Sequence, residues 1–342
     1  MTKRDELIQK EIEKVIFSDE DLKRITGKSF LVTGGNGLIG SFLLNTLAYL
    51  NKKHDLNLRL YGTVRSKDKI NSVMYHNSIA WIIWDLQEEF DFDKDIDFVI
   101  HTASSTSSNY FIEHPVELIE HTIHGFETLM KYSKEHPVES FVYLSSLEIY
   151  GLCNDDVFLT EDKYYPLDSF HVRNSYPISK KLIENLGVSY QHEYSVPFKS
   201  VRLGQVFGPG VDLNDKRVFA SFSRSVVNGK NIKLQTKGLT RRSYLSLPDS
   251  VQGIIKALLY GESGESFNLG SDNSYISIYE LAELFIQGTD LKIEILEKEN
   301  KQYLPQIQFG LDTTKIKKIG FSSTEGIDDM VRCLIEYFKT SI

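Results

Sequence analysis

Short apolar runs alternate with longer helical patterns along most of the chain. The apolar runs predict strands at 29–33, 58–64, 79–84, 97–102, 140–145 and 198–203. Between them, apolar residues recur at helical spacing at 38–50, 115–135 and 176–194. Because strands that alternate with helices of this length usually pair in parallel, the pattern predicts an α/β fold with a doubly wound parallel sheet.

The pattern changes after about residue 205. Glycine-rich turns and short strands are interleaved there with helical stretches at 217–228, 248–260, 278–287 and 326–339. The first 27 residues carry isolated apolar positions at helical spacing, which is typical of an amphipathic helix. We therefore predict an N-terminal helical extension (1–27), a first domain (28–205) and a smaller, mostly helical domain (206–342), with some interleaving at the boundary.

Composition and charge indicate a globular protein and argue against a protein that binds nucleic acid or a membrane surface. The 342 residues are 41% hydrophobic and 25% charged, which is typical of a globular protein. The chain has 39 Lys and Arg against 47 Asp and Glu, a net charge of −8. We therefore expect neither a nucleic acid nor a membrane surface as a partner, and an anionic ligand would need local donors.

The sequence shows no sign of export, of membrane insertion or of a metal site. No run reaches the roughly 18 apolar residues of a membrane span, and the N-terminus has no continuous apolar stretch of signal-peptide length. Cys153 and Cys333 lie in no spacing typical of a disulfide framework or a metal site. We expect a soluble, cytoplasmic protein without a metal.

A glycine-rich loop follows the first predicted strand and leads into a helix. Its glycines are Gly34, Gly37 and Gly40, with Leu38 and Ile39 between the last two. This strand, loop and helix order is the dinucleotide-binding fingerprint, in which the helix N-terminus receives the pyrophosphate. The loop predicts a Rossmann-type first domain that binds NAD or NADP.

Residues after the next three strands bear on the choice of cofactor. The second strand is followed by Arg65 where NAD-binding domains carry an acid, and a cation there favours a 2′-phosphate, and so NADP. A solvated surface arginine and NAD remain the alternative. Asp85 and Leu86 follow the third strand and Ala103 the fourth, where adenine and the rest of the cofactor would pass.

Two later segments carry candidate catalytic residues. Tyr176 and Lys180 form a YxxxK pattern, and their spacing puts both on one face of a helix, where both can also contact the cofactor. We expect the ammonium to lower the pKa of the phenol, so that Tyr176 acts as a base. Ser146, after the fifth strand, can share a substrate oxygen with Tyr176. Together they predict hydride transfer at a carbinol.

Six segments give the chain a family resemblance over residues 28–339. They are TGGNGLIG, SSLEIYG, YPISK, RLGQVFGPG, RRSYLSLPD and LDTTKIKKIGF. With these motifs the chain resembles the extended short-chain dehydrogenases/reductases, which include nucleotide-sugar epimerases, dehydratases and decarboxylases of polysaccharide biosynthesis. It looks most like the UDP-glucuronate decarboxylase branch, because of Asn109-Tyr110, Glu148, Arg173 and the NDKRV segment at 214–218.

The resemblance implies roles for matching positions. Ser146 would be the hydroxyl partner, Tyr176 the base and Lys180 its activator, and Glu148 would stand near the reacting sugar carbons or serve only as a structural acceptor. Substrate contacts are implied for Asn109, Arg173, Gln205, Arg217 and Arg242, the last as a diphosphate clamp. Relatives commonly pair through helices 115–135 and 176–194, which implies a homodimer.

Three positions depart from the family pattern. Thr122 and Gln205 stand where asparagine is usual, which loosens the expected cofactor and sugar contacts. Leu147 replaces the acid of the dehydratases, and because leucine cannot donate a proton it weakens a 4,6-dehydratase assignment.

Together, the motifs and the resemblance predict an NAD(P)-dependent enzyme that acts on a nucleotide diphosphate sugar. Four arginines in the second half of the chain suit a diphosphate: Arg202, Arg217, Arg241 and Arg242. Oxidation at C4 would give a 4-keto intermediate, and decarboxylation of a hexuronate is the favoured second step. A 4-epimerase, a 4,6-dehydratase and a keto-sugar reductase remain open, as does a non-catalytic dinucleotide-binding sensor.

Overall fold

A computed structural model describes residues 2–104, 108–296 and 306–340. Side chains at 71–72 and 108–109 lie outside that description. The strands are β1 (Ser29–Thr33), β2 (Arg59–Val64), β3 (Ala80–Ile83), β4 (Phe98–His101), β5 (Ser140–Ser146), β6 (Val157–Leu159), β7 (Phe198–Leu203), β8 (Gln205–Phe207), β9 (Ile232–Leu234), β10 (Arg241–Ser246), β11 (Ser266–Leu269), β12 (Tyr275–Ser277), β13 (Ile293–Ile295) and β14 (Phe309–Leu311).

The α-helices of the described chain are α1 (Lys3–Glu13), α2 (Asp19–Ile25), α3 (Leu38–His54), α4 (Ser108–Glu113), α5 (Pro115–Glu135), α6 (Ser175–Tyr194), α7 (Val218–Val227), α8 (Leu247–Tyr260), α9 (Ile278–Ile286), α10 (Thr314–Lys317) and α11 (Ile327–Lys339). Short 3₁₀ segments lie at Lys67–Ser72, His76–Ser78, Leu147–Tyr150, Val172–Asn174 and Asp272–Ser274. The predicted elements all form, with ends that differ by a few residues.

The largest sheet has seven parallel strands in the order β11-β7-β5-β4-β1-β2-β3 within the described ranges. Helices cover both faces, and β1 shows why. Phe30 and Val32 pack into the core under α3 and α8, whereas Leu31 packs into the core under α5 and α6. Because side chains alternate along a strand, an apolar run without polar interruptions fits only a sheet buried on both sides. The predicted Rossmann-type fold is confirmed.

The seventh strand of the main sheet comes from beyond the predicted domain boundary at residue 205. β11 lies in the part of the sequence assigned to the second domain, yet it pairs in parallel with β7, and Phe267 stands opposite Val201. Four residues are too short a run to assign to a sheet by periodicity alone. The chain therefore returns to the main sheet after residue 205. Residues of β8, β9 and β10 form a separate core with α7, α9 and α11. The β6–β14 sheet packs in a further cluster with the 3₁₀ turn at Leu147–Tyr150.

The N-terminal extension forms the predicted helices and lies across both cores. Leu7 packs with the C-terminal core, whereas Ile12 and Val15 pack with the core of the first domain. Asp21 is buried and accepts hydrogen bonds from the Lys256 ammonium, at 2.7 and 2.8 Å, and from the Tyr260 hydroxyl at 2.7 Å. The extension thus attaches to α8 through a buried charge as well as through apolar contacts.

None of the helices described is long and apolar enough to cross a membrane. Among the residues that the structure describes, no group of three or more His, Cys, Asp or Glu side chains could hold a metal ion.

Candidate functional site

The glycine loop meets the steric requirements of a pyrophosphate site. Gly34 has φ +65°, a conformation that L residues rarely adopt. A side chain on Gly40 would clash with the carbonyl oxygen of Gly34, so the loop and the first turn of α3 are packed backbone to backbone. Gly37 precedes α3 and provides no side-chain cap, which leaves the first N–H groups of the helix for an anionic ligand.

A cavity of about 390 Å³ opens beside this loop. It is lined by predicted cofactor residues from the ends of four strands: Gly34, Gly37, Arg65, Asp85, Leu86 and Ala103. Thr122 also lines it, but its hydroxyl donates to the Leu118 carbonyl oxygen at 2.6 Å, within its own helix. The glycine turn and the polar and cationic groups at the strand ends fit a dinucleotide.

A second cavity of about 250 Å³ holds the candidate catalytic groups. It shares Gly37, Thr102 and Ser104 with the first cavity, so the two are adjacent parts of one cleft. The predicted residues that line it are Leu38, Ile39, Gly40, Ser146, Glu148, Tyr176, Lys180, Gln205 and Arg217. The structure therefore brings together residues from the glycine loop, β5, α6 and β8.

Tyr176 is held at the start of α6 by aromatic packing. Its ring stacks on Phe111 with centroids 4.4 Å apart and planes 7° from parallel. Burial raises the pKa of Tyr176, and the negative charge of Glu148 adds to this, while the Ser146 hydroxyl acts in the opposite direction. The sequence-based expectation of a lowered pKa is therefore wrong, because burial outweighs the neighbouring cations.

Lys180 is buried beside Tyr176. Its ammonium donates a hydrogen bond to the Leu144 carbonyl oxygen at 2.8 Å. Burial lowers the pKa of Lys180 to about 7, although the charge of Glu184 acts to raise it. The lysine is therefore not a permanent cation at neutral pH.

Ser146 and Glu148 meet at the end of β5. The Ser146 hydroxyl oxygen accepts from the Glu148 backbone N–H at 3.2 Å. The Glu148 carboxylate pairs with the Arg173 guanidinium at 3.0 Å, and side-chain exposure is 19% and 8% respectively. Glu148 therefore has a structural partner in Arg173, and it also lines the second cavity.

Arg242 lines a small pocket together with Glu148. Burial lowers the pKa of Arg242, and the charge of Glu148 acts against this. Within the described residues, one terminal guanidinium nitrogen of Arg242 and one of Arg173 are buried without a hydrogen-bond partner. Arg173 and Arg242 therefore present buried N–H donors to an anion, beside the single carboxylate of Glu148.

The other predicted arginines separate into ligand-facing and structural groups. Arg217 lines the second cavity, pairs with Asp215 at 2.6 Å and lies over the Phe219 ring. Arg202 is buried in an ion pair with Glu184 at 2.7 Å. The expectation that Arg202 binds a diphosphate is wrong, because its guanidinium N–H groups already donate to the Glu184 carboxylate inside the protein.

Arg241 pairs with Glu280 at 3.1 Å and lies over the Tyr275 ring, and it lines neither of the two cavities. The side chain of Asn109 lies outside the part of α4 that the structure describes.

Sequence reasoning did not identify Phe111 and Tyr143. Phe111 forms the floor under Tyr176, and Tyr143 lies under Lys180, whose ammonium is 4.5 Å from its ring centroid. The only signal for Phe111 was its position directly after the Asn109-Tyr110 pair. Tyr143 had none, because a tyrosine inside an apolar strand looks like ordinary core.

Comparison with protein families matches residues 30–270 to a family described as "NAD dependent epimerase/dehydratase family". Among curated proteins, UDP-glucuronic acid decarboxylase 6 of Arabidopsis thaliana is 26% identical over 292 residues, covering 84% of this chain and 82% of the relative. The dTDP-D-glucose 4,6-dehydratase of Mus musculus is 25% identical over 328 residues, covering 91% and 89%.

A solved structure shares the fold. It is the UDP-glucuronic acid 4-epimerase of Bacillus cereus in complex with UDP-glucuronic acid and NAD, which superimposes with a TM-score of 0.77 at 20% identity. The alignment covers 92% of this chain and 100% of that one. The likeness extends over both domains.

Proposed function

Because the chain belongs to the NAD dependent epimerase/dehydratase family, we propose that it decarboxylates a UDP-linked hexuronate by way of a 4-keto intermediate. One observation carries the proposal. A single cavity holds Ser146, Tyr176 and Lys180 together with Glu148. Arg173 pairs with that carboxylate, Arg242 lies within reach of its charge, and each arginine has a buried N–H group without a partner among the described residues. The first three groups suit oxidation at C4, and the arginines suit a carboxylate.

In the first step Tyr176 removes the proton of the C4 hydroxyl, while Ser146 donates a hydrogen bond to the same oxygen. Bound NAD or NADP supplies the hydride acceptor for C4. The glycine loop is the part of the chain suited to its pyrophosphate, and Lys180 provides positive charge below Tyr176. Because the pKa of Tyr176 is raised, that charge is needed to favour the phenolate.

In the second step the C5–C6 bond breaks and CO₂ leaves. The bonding electrons pass to the C4 carbonyl oxygen as an enolate, which then takes up a proton from solvent at C5. Tyr176 then returns its proton to the C4 oxygen, and a bound cofactor would give the hydride back to C4, so that no net oxidation would occur. Arg173 and Arg242 would hold the carboxylate of the substrate before CO₂ leaves. The negative charge of Glu148 disfavours the negative charge of the substrate carboxylate beside it.

Other second steps are possible on the same first step. A 4-epimerase would return the hydride to the opposite face of the sugar, and a reductase would exchange the cofactor. A 4,6-dehydratase receives less support, because the position before Glu148 holds buried, apolar Leu147. A non-catalytic sensor would not need Ser146, Tyr176 and Lys180 in one cavity.

The test is turnover of purified protein on a panel of nucleotide sugars with NAD or NADP. UDP-glucuronate should release CO₂ and give a UDP-pentose, without net NADH formation. If UDP-glucuronate does not react and UDP-glucose or UDP-galactose does, the protein is an epimerase and the decarboxylase assignment is wrong. Binding of the cofactor without turnover of any sugar would support the sensor.

We propose that the protein prefers NADP to NAD as its cofactor. Arg65 lines the first cavity at the end of β2, in the place of an acid that would bind the ribose hydroxyls of NAD. Its guanidinium can hold a 2′-phosphate. Thermal shifts with each cofactor compare the two affinities, because a ligand that binds the native state raises its apparent stability.

We also propose a homodimer formed through α5 and α6. These adjacent helices carry exposed apolar side chains, among them Val116 at 60% and Leu182 at 47%. Covering such side chains is favourable in water. Light scattering after size exclusion should give twice the chain mass, and Val116→Asp with Leu182→Asp should give a monomer. A wild-type monomer would refute this pairing.

A further inference from the structure

The surroundings of Lys180 suggest a role for a residue outside the proposed reaction scheme. Its ammonium lies 4.5 Å from the centroid of the Tyr143 ring and 5.7 Å from that of Tyr176. The titratable groups that face it are Tyr176 and Glu184 on α6, Tyr143 on β5 and His101 on β4. Each could stabilise or oppose the positive charge.

Two of these groups are poor partners for the ammonium. Glu184 accepts from Arg202 at 2.7 Å and from the Ser200 hydroxyl at 2.7 Å, so most of its charge is compensated. Burial, together with the charge of Lys180, lowers the pKa of His101 to about 3. The imidazole is therefore neutral, and its Nδ1 is 2.7 Å from the Thr33 hydroxyl.

Tyr143 offers the face of an aromatic ring instead. It is buried in the sheet, with His101 stacked on it at 5.6 Å and Phe126 edge-on at 5.5 Å. Neighbours on two sides hold the ring in place. A fixed ring face within about 6 Å attracts a cation, and the attraction is strongest where water is excluded.

We propose that Tyr143 is a positioning residue, whose ring face keeps the Lys180 side chain in its ammonium form against the Leu144 carbonyl oxygen. The role rests on the proposed function, since it maintains the charge that favours the Tyr176 phenolate. The fully buried site of Lys180 otherwise penalises that charge.

The ring carries this role and the hydroxyl does not. The Tyr143 hydroxyl is buried and has no hydrogen-bond partner within the described residues. Tyr143→Phe therefore keeps the interaction and removes an unsatisfied polar group. Replacing Tyr143 by 3,4,5-trifluorophenylalanine keeps the shape but weakens the negative potential of the ring face, and Tyr143→Leu removes the ring.

The test is a direct titration of the Lys180 ammonium. Its NMR signal is monitored as a function of pH in protein labelled at the lysine side chains. The signal absent from Lys180→Met identifies the residue. Its midpoint should fall by about one pH unit in Tyr143→Leu and in the fluorinated protein, and stay near the wild-type value in Tyr143→Phe. Thermal unfolding of each variant controls for loss of the fold, and the near-isosteric fluorinated ring protects the test if Tyr143→Leu fails to fold.

Turnover gives a second readout. The alkaline limb of the pH–rate profile, where Lys180 loses its proton, should move to lower pH with the same ranking of variants. Equal midpoints in the phenylalanine and fluorinated proteins would overturn the proposal. Because the titration does not depend on turnover, an inactive wild type with the expected midpoints would contradict the proposed function alone.

Discussion

Arg173 and Glu148 lie 25 residues apart in sequence and form an ion pair at 3.0 Å at the edge of the reaction cavity. The pair connects the 3₁₀ turn after β5 with the 3₁₀ turn before α6. Since Ser146 ends the strand before the first turn and Tyr176 lies in the first turn of α6 after the second, the pair also ties together the segments that carry the two candidate catalytic hydroxyls. It therefore has both a structural and a functional consequence.

Removing one partner of this pair should cost more than removing both. Arg173→Met leaves the Glu148 charge poorly solvated, and we expect a loss of about 3 kcal/mol in the free energy of unfolding, measured by urea denaturation. Arg173→Met combined with Glu148→Leu should recover most of this loss but remain inactive. A double variant as unstable as the single one would mean that the arginine acts through packing on Phe111.

Tyr176→Phe should abolish turnover. The variant keeps the ring that stacks on Phe111 and loses only the hydroxyl, so the fold and the cofactor affinity should change little. We expect kcat to fall by at least about 100-fold, the usual contribution of a general base. Steady-state rates and cofactor titration measure the two effects. Wild-type activity in this variant would refute the mechanism.

Gly40→Ala should weaken cofactor binding. The added methyl group would clash with the carbonyl oxygen of Gly34 and push α3 away from the loop. We expect a loss of about 1–3 kcal/mol in stability and a clearly weaker dissociation constant, measured by calorimetry. Ser41→Ala is the matched control, because its hydroxyl only bonds back to the Leu38 carbonyl oxygen within the helix.

Arg65→Ala separates the two cofactors. If Arg65 binds the 2′-phosphate, NADP affinity should fall about tenfold, the equivalent of one hydrogen bond to a charged group, while NAD affinity stays the same. Dissociation constants for both cofactors, measured on wild type and variant, decide the matter. Equal effects on NAD and NADP would assign Arg65 to stacking on adenine.

Asp21→Asn should loosen the N-terminal extension. The contacts with Lys256 and Tyr260 lower the pKa of Asp21 from its ordinary 3.8, despite burial acting in the opposite direction. A lowered folded-state pKa stabilises the protein above pH 3.8, and this contribution is lost as the pH falls through the folded value. We expect the variant to be less stable at pH 7, by about 3 kcal/mol, and less sensitive to acid.

Exposed Asp19 in the same helix provides the control for this prediction. Asp19→Asn changes the charge by the same amount without a buried partner, so its stability should stay within about 0.5 kcal/mol of wild type. Thermal or urea unfolding between pH 3 and 7 compares the three proteins. Parallel pH curves for wild type and Asp21→Asn would show that the buried pair contributes nothing.

Much of the fold could be predicted because it depends on periodicity within single elements. A continuous apolar run such as 29–33 indicates a strand buried on both faces, and the glycines that follow indicate a tight turn. β11 could not be found in this way. Its four residues are placed in the sheet by pairing with β7, an interaction between segments more than 60 residues apart.

The candidate site was predictable by residue type but not by charge state. Tyr176, Lys180 and Ser146 line one cavity, as their motifs indicate. The direction of the Tyr176 pKa was predicted wrongly, because the motif shows the neighbouring ammonium and does not show the burial of both groups. The partners of Arg202 and Arg241 were hidden for the same reason: each is supplied by another element.

By itself the sequence determined the order of most strands and helices, the glycine loop and the identity of the candidate catalytic hydroxyl groups, since contiguous residues specify backbone conformation and chemistry. Only the tertiary structure decided which arginines remain open to a ligand, how strongly Lys180 is charged and which ring lies beneath it. These properties depend on solvent exclusion and on side chains from distant segments, and neither is encoded in any local stretch of the chain.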